Sequence, residues 1–463
     1  MEIENSLIIS FKNQNTFEEE KAINNIKTNP KHFFSFARRK QIAKGLIGPL
    51  KIDDKLITDP SIICDSLSNQ YASAFSKPCE MNPQFNPSSF FDLSNSPLPS
   101  LVDIDFSVED IENEIGNLRN HAAPGPDNVP VMLLKSCKKT ISKPIYEMWR
   151  KSLDTNEIAD IYKHAIITPI LKSGSPSYLA KSYRPISLTS HITKIFEKII
   201  RKAIITHLCQ NNLLPNNQHG FLQGRSTLSQ LISQIETVIR SIEDGNDVDT
   251  IYLDFAKAFD KVDHLLLASK LKNMGIGGKV GMWIYNFLTN RTQQIAANGA
   301  TSSPSPVLSG VPQGTVLGPI LFVIMISDID KPLTKSFASL FADDSRVSTL
   351  IKKECDITDF QEELDNKLYP WAPLNKAVFN GDKFEHIHFG KIMSNNLPQY
   401  TDPNNKPITT KTKINDLGVI ISNTLEWTPH IDNVISQCRT QSAWILRTFS
   451  KRDPLTMKTL WTS

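Results

Sequence analysis

Cysteine is scarce and scattered. The 463 residues hold six, at Cys64, Cys79, Cys137, Cys209, Cys355 and Cys438, with no CxxC spacing. That argues against a zinc ribbon or a disulfide framework and favours a reducing, intracellular setting, nucleus and cytoplasm both left open. Long apolar runs are missing too. The most apolar stretch, Ile320 to Ile326, is far short of the ~18 residues a membrane helix needs. Glu2 and Glu4 stand where a signal peptide would be basic and then apolar, so no membrane partner is expected. Net charge is small as well: 51 basic against 48 acidic residues leave +3, so nucleic-acid binding would have to rest on local patches. No internal repeat is present.

The length exceeds the ~250–300 residues at which a single core stops growing, so two or three substructures are expected. Residues 1–75 read as a basic helical N-terminal extension. From Lys31 to Lys51 there are six cations (Lys31, Arg38, Arg39, Lys40, Lys44, Lys51) and no acid, either a nucleic-acid contact or a solvated helix face. Residues 76–105, with Pro78, Pro83, Pro87, Pro97 and Pro99 among Ser and Asn, read as a linker or exposed loop. A compact domain occupies 106–400. Val108, Ile111, Ile115 and Leu118 keep helical spacing, Ala165–Leu171 and Val248–Leu253 read as strands, and 401–463 form a closing segment. Strands and helices mix without regular βαβ alternation, which predicts an α+β fold.

Asp254 ends the apolar strand Val248–Leu253, where a rigid element can hold a carboxylate at a cleft edge; alone it is equally a cap. Asp343-Asp344 sit between two strand-like flanks as a two-residue turn would, again an ordinary hairpin tip in isolation. Together the three supply hard oxygen ligands of the kind that hold Mg²⁺, with Mn²⁺ as the alternative, for in-line phosphoryl transfer. Phe259, five residues after Asp254 at the expected start of a helix, is either a screen beside a nucleotide's 2′ carbon or a core aromatic. Gly310-Val311-Pro312-Gln313-Gly314 is expected to open a helix from Thr315 to Ile326, its glycines admitting close backbone approach and Gln313 offering donors and acceptors. Arg184 precedes Pro185, which biases it to extended geometry; its planar fork matches phosphate oxygens or a surface carboxylate.

These segments, in this order, resemble the reverse transcriptase of non-LTR retrotransposons, LINE-type elements of the jockey-like branch. The resemblance runs from about Asn29 to the C-terminus. Its blocks are Ala123-Pro124-Gly125-Pro126-Asp127, Lys181 to Leu188 around Tyr183-Arg184-Pro185, Gln218-His219-Gly220-Phe221 with Gly224-Arg225-Ser226-Thr227, Leu253 to Asp260, and Phe341-Ala342-Asp343-Asp344.

The resemblance implies a right-hand polymerase with fingers, palm and a partial thumb behind the helical extension. It implies metal ligation by Asp254, Asp343, Asp344 and the Phe255 carbonyl, and a nucleotide site of Lys172, Arg184, Phe259, Gln313 and Gly314. Nucleic acid would be met by Arg225 in the template-side block and, on the charge of the basic run alone, by Arg38, Arg39 and Lys40. The implied partners are an RNA template, a DNA primer or target, and deoxynucleoside triphosphates. Trp371, Asn380, Lys383 and His386 to Gly390 resemble the last palm block, though Pro370 and Pro373 around Trp371 predict a helix break. Nothing in residues 1–100 resembles an endonuclease, and a chain stopping at Ser463 reads as truncated. Two readings are open: an RNA-directed DNA polymerase, or an inactive remnant that only binds nucleic acid.

Overall fold

A computed structural model of the chain describes residues 2–40, 47–76, 86–94, 97–172, 174–390 and 398–462. They fall into two units, Met1–Gly48 with Glu426–Ser463, and Pro49–Leu425. No helix among the described residues is long and apolar enough to cross a membrane.

The first unit is helical, built from Glu2–Asn24, Pro30–Lys40, Thr428–Thr448 and Pro454–Trp461. Its small core joins Ile23, Phe33 and Phe36 to Ile445, Phe449 and Leu460, with the Phe33 and Phe449 rings stacked at 5.3 Å. Glu19, buried beside it, accepts the backbone N–H groups of Ser450 and Lys451, each at 2.8 Å. The basic helix Pro30–Lys40 therefore buries its Phe33–Phe36–Ala37 stripe. The side chains of Lys31, Arg38, Arg39 and Lys40, and all of Lys44, lie outside the described residues. Lys51 belongs to the other unit, where it pairs with Asp54 at 2.7 Å.

The second unit carries fourteen strands among its described residues: β1 (Leu50–Ile52), β2 (Lys55–Ile57), β3 (His164–Leu171), β4 (Tyr183–Leu188), β5 (Asp247–Leu253), β6 (Arg291–Ala297), β7 (Ala300–Thr301), β8 (Ser305–Val307), β9 (Phe337–Phe341), β10 (Asp344–Ile351), β11 (Glu385–Phe389), β12 (Thr409–Thr410), β13 (Lys413–Asp416) and β14 (Val419–Ser422). One sheet runs β4-β3-β6-β7 with β8 on β6, another β12-β11-β5-β10-β9, and β1-β2 and β13-β14 are separate hairpins. This is the α+β layout the sequence predicted. β5 is central in the second sheet because its residues are buried on both faces, Ile251 and Leu253 in the main core and Val248 in a second cluster with Leu231, Val238 and Ile387. The helix Gly318–Ile326 is apolar on every side and buried at every position but the half-buried Pro319, as a helix without a polar face has to be.

Several boundaries differ from those read in the sequence. Residues 49–76 go with the larger unit, because Leu50, Ile63, Cys64 and Leu67 of this stretch are buried. The described part of 76–105 is docked rather than an exposed linker: Phe91 is fully buried beside Ala268 and Tyr285, its carbonyl accepts the Gly278 N–H at 2.8 Å, and Leu101 bridges Ile276. A few apolar residues among the prolines suffice to anchor it. Residues 401–425 stay with the second sheet through β12 on β11. Near Trp371 the predicted break does not occur: the chain remains helical over Tyr369–Leu374, with Pro370 at its start and Pro373 inside it, and the preceding turn, Leu364–Leu368, widens to a π-helix.

Candidate active site

Asp254 comes directly after Leu253, at the point where β5 leaves its sheet. In the β10–β5 ladder the last pair is Ser345 with Leu253, so Asp344 and Asp254 are the next residues beyond its end, close enough for the Asp254 charge to raise the Asp344 carboxyl. Asp343 stands on the hairpin tip beside them. The tip is Ala342-Asp343, one residue earlier than the sequence suggested: Ala342 takes the left-handed conformation, φ 56°, and Asp344 already pairs with Phe341.

The electrostatics of these carboxylates show their crowding. Burial first, then the Asp344 and Asp254 charges, push the Asp343 carboxyl up from 3.8 to about 6, with Arg184 opposing. Burial also raises Asp344, with Arg346 opposing and Asp254 adding to the rise. Asp254 has partners of its own. Its Oδ2 accepts from Asn380 Nδ2 at 3.0 Å and Lys383 Nζ at 3.1 Å, and its carbonyl from the Asn380 N–H at 2.8 Å. Phe255 bridges Phe379, but the bonds around that bridge are made by the Asp254 carbonyl and the Ala256 N–H, so the Phe255 carbonyl takes no part in it. Crowded carboxylate oxygens of this kind are hard donors suited to a divalent cation. Among the described residues no three His, Cys, Asp or Glu side chains are already gathered tightly enough to hold one.

Arg184 projects from β4 into solvent, opposite Ile170 of β3. Lys172, just past β3, donates its Nζ to the Lys181 carbonyl at 3.0 Å. Burial and then the charges of Arg184, Lys383 and Lys257 lower its pKa. These cations therefore share one electropositive rim that reaches Asp343. Gln313 lies on the same side. Its carbonyl accepts the Ser187 N–H of β4 at 2.8 Å, and its Nε2 donates to Asp260 Oδ1 at 3.1 Å. Gly314, at φ 104°, runs so close to Ser187 that a Cβ would stand 2.6 Å from its carbonyl oxygen. Glu197 fixes the next stretch of backbone, its buried Oε2 accepting from Val316 N–H at 2.6 Å and Leu317 N–H at 3.0 Å. The helix then begins at Gly318, three residues later than expected.

Phe259 is half-buried, stacked on Phe322 at 4.3 Å and edge-on to Phe221 at 6.4 Å. It sits in turns over 256–261, and the next helix starts only at His264, capped by Asp263. Arg225 has a structural commitment: its Nη1 donates to the Pro215 carbonyl at 3.1 Å, to Asn216 at 2.9 Å, and to Gln218. His386 and His388, near the last palm block, lie on β11 away from the carboxylates. Both bond Asp249 Oδ1, at 3.0 and 2.7 Å, and Tyr400 donates to Asp249 Oδ2 at 2.5 Å. The Asn380 and Lys383 contacts to Asp254, and the Gln313–Asp260 bond, have no local sequence signal, since their partners are 50 to 130 positions apart.

A profile of the family described as reverse transcriptase (RNA-dependent DNA polymerase) matches residues 170–421, a span that contains every residue of this cluster. The chain belongs to the reverse transcriptase family. It is 28% identical over 339 residues to the probable RNA-directed DNA polymerase from transposon X-element of Drosophila melanogaster, covering 72% of this chain and 37% of that protein. It is 26% identical over 358 residues to the RNA-directed DNA polymerase from mobile element jockey of the same fly, covering 76% and 39%. These matches put it in the jockey-like branch of the non-LTR retrotransposon reverse transcriptases. The chain spans less than two-fifths of the length of either relative. Among solved structures it is similar to apo telomerase from Candida tropicalis, at TM-score 0.40 and 15% identity, covering 60% of this chain and 59% of that one.

Proposed function

We propose that this chain is an RNA-directed DNA polymerase that adds deoxynucleotides to a primer 3′-OH on an RNA template, in an intracellular setting. The observation that carries the reading is the meeting of Asp254 with Asp343-Asp344 at one strand end, under a rim formed by Arg184 and Lys172. Mg²⁺ or Mn²⁺, held by the three aspartates and the Phe255 carbonyl, would supply activation of the attacking oxygen and stabilisation of the leaving one.

The chain's own residues do the rest by position. Arg184 and Lys172 neutralise the triphosphate, the Phe259 ring closes the space beside the 2′ carbon, and Gln313-Gly314 face the nascent pair from a segment strapped to β4. Arg38, Arg39, Lys40 and Arg225 are assigned to the nucleic-acid backbone, Arg225 with the N–H groups its loop leaves over.

The test is Mg²⁺-dependent extension of a DNA primer on an RNA template by the purified chain, with Asp343→Ala as control. Extension by the wild type alone supports the reading. A folded wild type that binds primer–template without extending it would leave a remnant that only binds nucleic acid.

A further inference from the structure

The β9–β10 hairpin is braced from outside its own sheet. β9 is an edge strand, and residues 217–219 lie along it: the Leu340 N–H donates to the Asn217 carbonyl at 2.9 Å, and the His219 N–H to the Leu340 carbonyl at 2.8 Å. Asn217 Nδ2 adds bonds to the Ala338 carbonyl at 2.9 Å and to Asp330 at 2.8 Å. Between them Gln218 is fully buried, and its Oε1 accepts from the Gly220 N–H at 2.7 Å and the Ala342 N–H at 2.9 Å. The backbones nearly touch there, since a Cβ on Gly220 would lie 2.4 Å from Ala342 N. Arg225 holds this loop from behind through the carbonyls of Pro215, Asn216 and Gln218.

Ala342 needs that acceptor. It is buried, its φ of 56° is a conformation an alanine rarely takes, and a buried N–H without a partner is costly. Asp343 is the next residue, so whatever fixes Ala342 fixes the direction of the Asp343 side chain. We infer that Gln218 is a positioning residue for the polymerase reaction: its carboxamide oxygen holds the Ala342-Asp343 tip in the turn that presents Asp343 to the divalent cation. The block Gln218-His219-Gly220 thereby acts on the catalytic hairpin itself. This inference rests on the proposed polymerase function for its kinetic readout, on the cation site proposed with it for its Mn²⁺ readout, and on the fold alone for hydrogen exchange.

The experiment compares the full chain with Gln218→Met, which keeps length and apolar volume but has no strong acceptor, and Gln218→Glu, which restores one. Hydrogen–deuterium exchange over residues 337–348, Mn²⁺ binding monitored by electron paramagnetic resonance, and primer extension at varied Mg²⁺ are measured on each. The Met variant should exchange faster at the hairpin while the rest of its sheet is unchanged. It should also need about tenfold more divalent cation for half-saturation, the effect of losing a bond or two of ordinary strength. In extension kcat should fall by a similar factor with the deoxynucleotide KM little changed, and the Glu variant should recover most of each loss. Unchanged hairpin exchange and Mn²⁺ affinity in a folded Met variant overturn the inference, as does loss of activity that tracks a lowered Tm with no change in cation requirement. Should the Met variant not fold, Gly220→Ala serves instead, because its methyl displaces Ala342 directly; unaltered cation binding there overturns the inference too. A wild type that binds Mn²⁺ but never extends sinks the polymerase reading and leaves the exchange and Mn²⁺ arms to decide this one.

Discussion

Replacing Asp343 by Asn should make the protein more stable and inactive. The side chain lies at the tip of the β9–β10 hairpin, half-buried, with Asp344 and Asp254 beside it and its pKa pushed up to about 6. An acid that binds its proton more tightly folded than unfolded costs the fold stability as pH rises. The penalty is absent below the unfolded value of 3.8 and complete above about 6. That gap corresponds to ~3 kcal/mol for a fully buried group; water around a half-exposed carboxylate reduces it to ~1–2 kcal/mol. Asn keeps the shape and removes the charge. At pH 8 without divalent cation, Asp343→Asn should therefore melt roughly 1–3 °C above the wild type, and the difference should shrink on approach to pH 4.

Adding Mg²⁺ should reverse the order, because binding to the folded state alone stabilises it and the variant has lost a ligand. Thermal melts across pH 4 to 8, with and without Mg²⁺, run beside primer extension, make the measurement. Were Asp343→Asn no more stable than the wild type at pH 8 in the absence of cation, the carboxylates would not be crowded as described, and their reading as a metal site would lose its electrostatic basis.

Arg184→Ala should leave Tm unchanged, since the side chain is exposed, and raise the deoxynucleotide KM; unaltered kinetics would remove it from the triphosphate rim. Phe259→Ala should admit ribonucleotides, seen as a rise in their kcat/KM, and also cost about 2–4 kcal/mol through the lost stack on Phe322. Loss of stability with intact sugar discrimination would make Phe259 a core residue only. Replacing Arg38, Arg39 and Lys40 together by Gln should flatten the salt dependence of RNA binding if they displace counterions from phosphates. That substitution is a cleaner test than deleting residues 1–75, which would strip Phe33 and Phe36 from Phe449 and remove the helix Pro60–Ala72 from the larger unit. Asp249→Ala should cost about 3–5 kcal/mol in urea melts, because His386, His388 and Tyr400 would be left buried around an empty acceptor position. Burial alone would raise Asp249, but His386, His388 and Tyr400 hold it down at about 2. Its contribution to stability should therefore persist above pH 4 and fade toward pH 2.

What the sequence could reveal was set by how far apart the interacting residues lie. Strand β5 with Asp254 just past its end and the paired aspartates at a hairpin are local patterns, an apolar run and then a turn, and both were legible. The turn itself was misplaced by one residue because Asp is the usual occupant of a left-handed position, whereas here Ala342 occupies it and Gln218, 124 positions away, supplies the acceptor for its N–H. Likewise Ala258, Phe259, Val262, Leu265 and Leu266 recur at helical spacing, yet the chain turns over 256–261, where Val311 N–H donates to the Phe259 carbonyl at 2.8 Å and Gly310 N–H to the Val262 carbonyl at 2.8 Å. Neither bond leaves a mark in the local pattern.

The same limit explains why charge was the least reliable guide. Arg225 and Arg184 look alike in sequence, each an arginine inside a short block that the resemblance singles out. Arg225 meets three carbonyls of its own loop, and Arg184 stands in a strand with its guanidinium outward. The difference lies in backbone direction: a loop that curls back presents its carbonyls inward to any cation at its base, while an extended X-Pro segment directs its carbonyls into the neighbouring strand and leaves the side chain to solvent. Pro185 carried that information for Arg184. For Arg225 it resides in the path of residues 215–218, which β9 imposes by pairing with Asn217 and His219, so the residue expected to grip nucleic acid steadies the loop that braces Asp343.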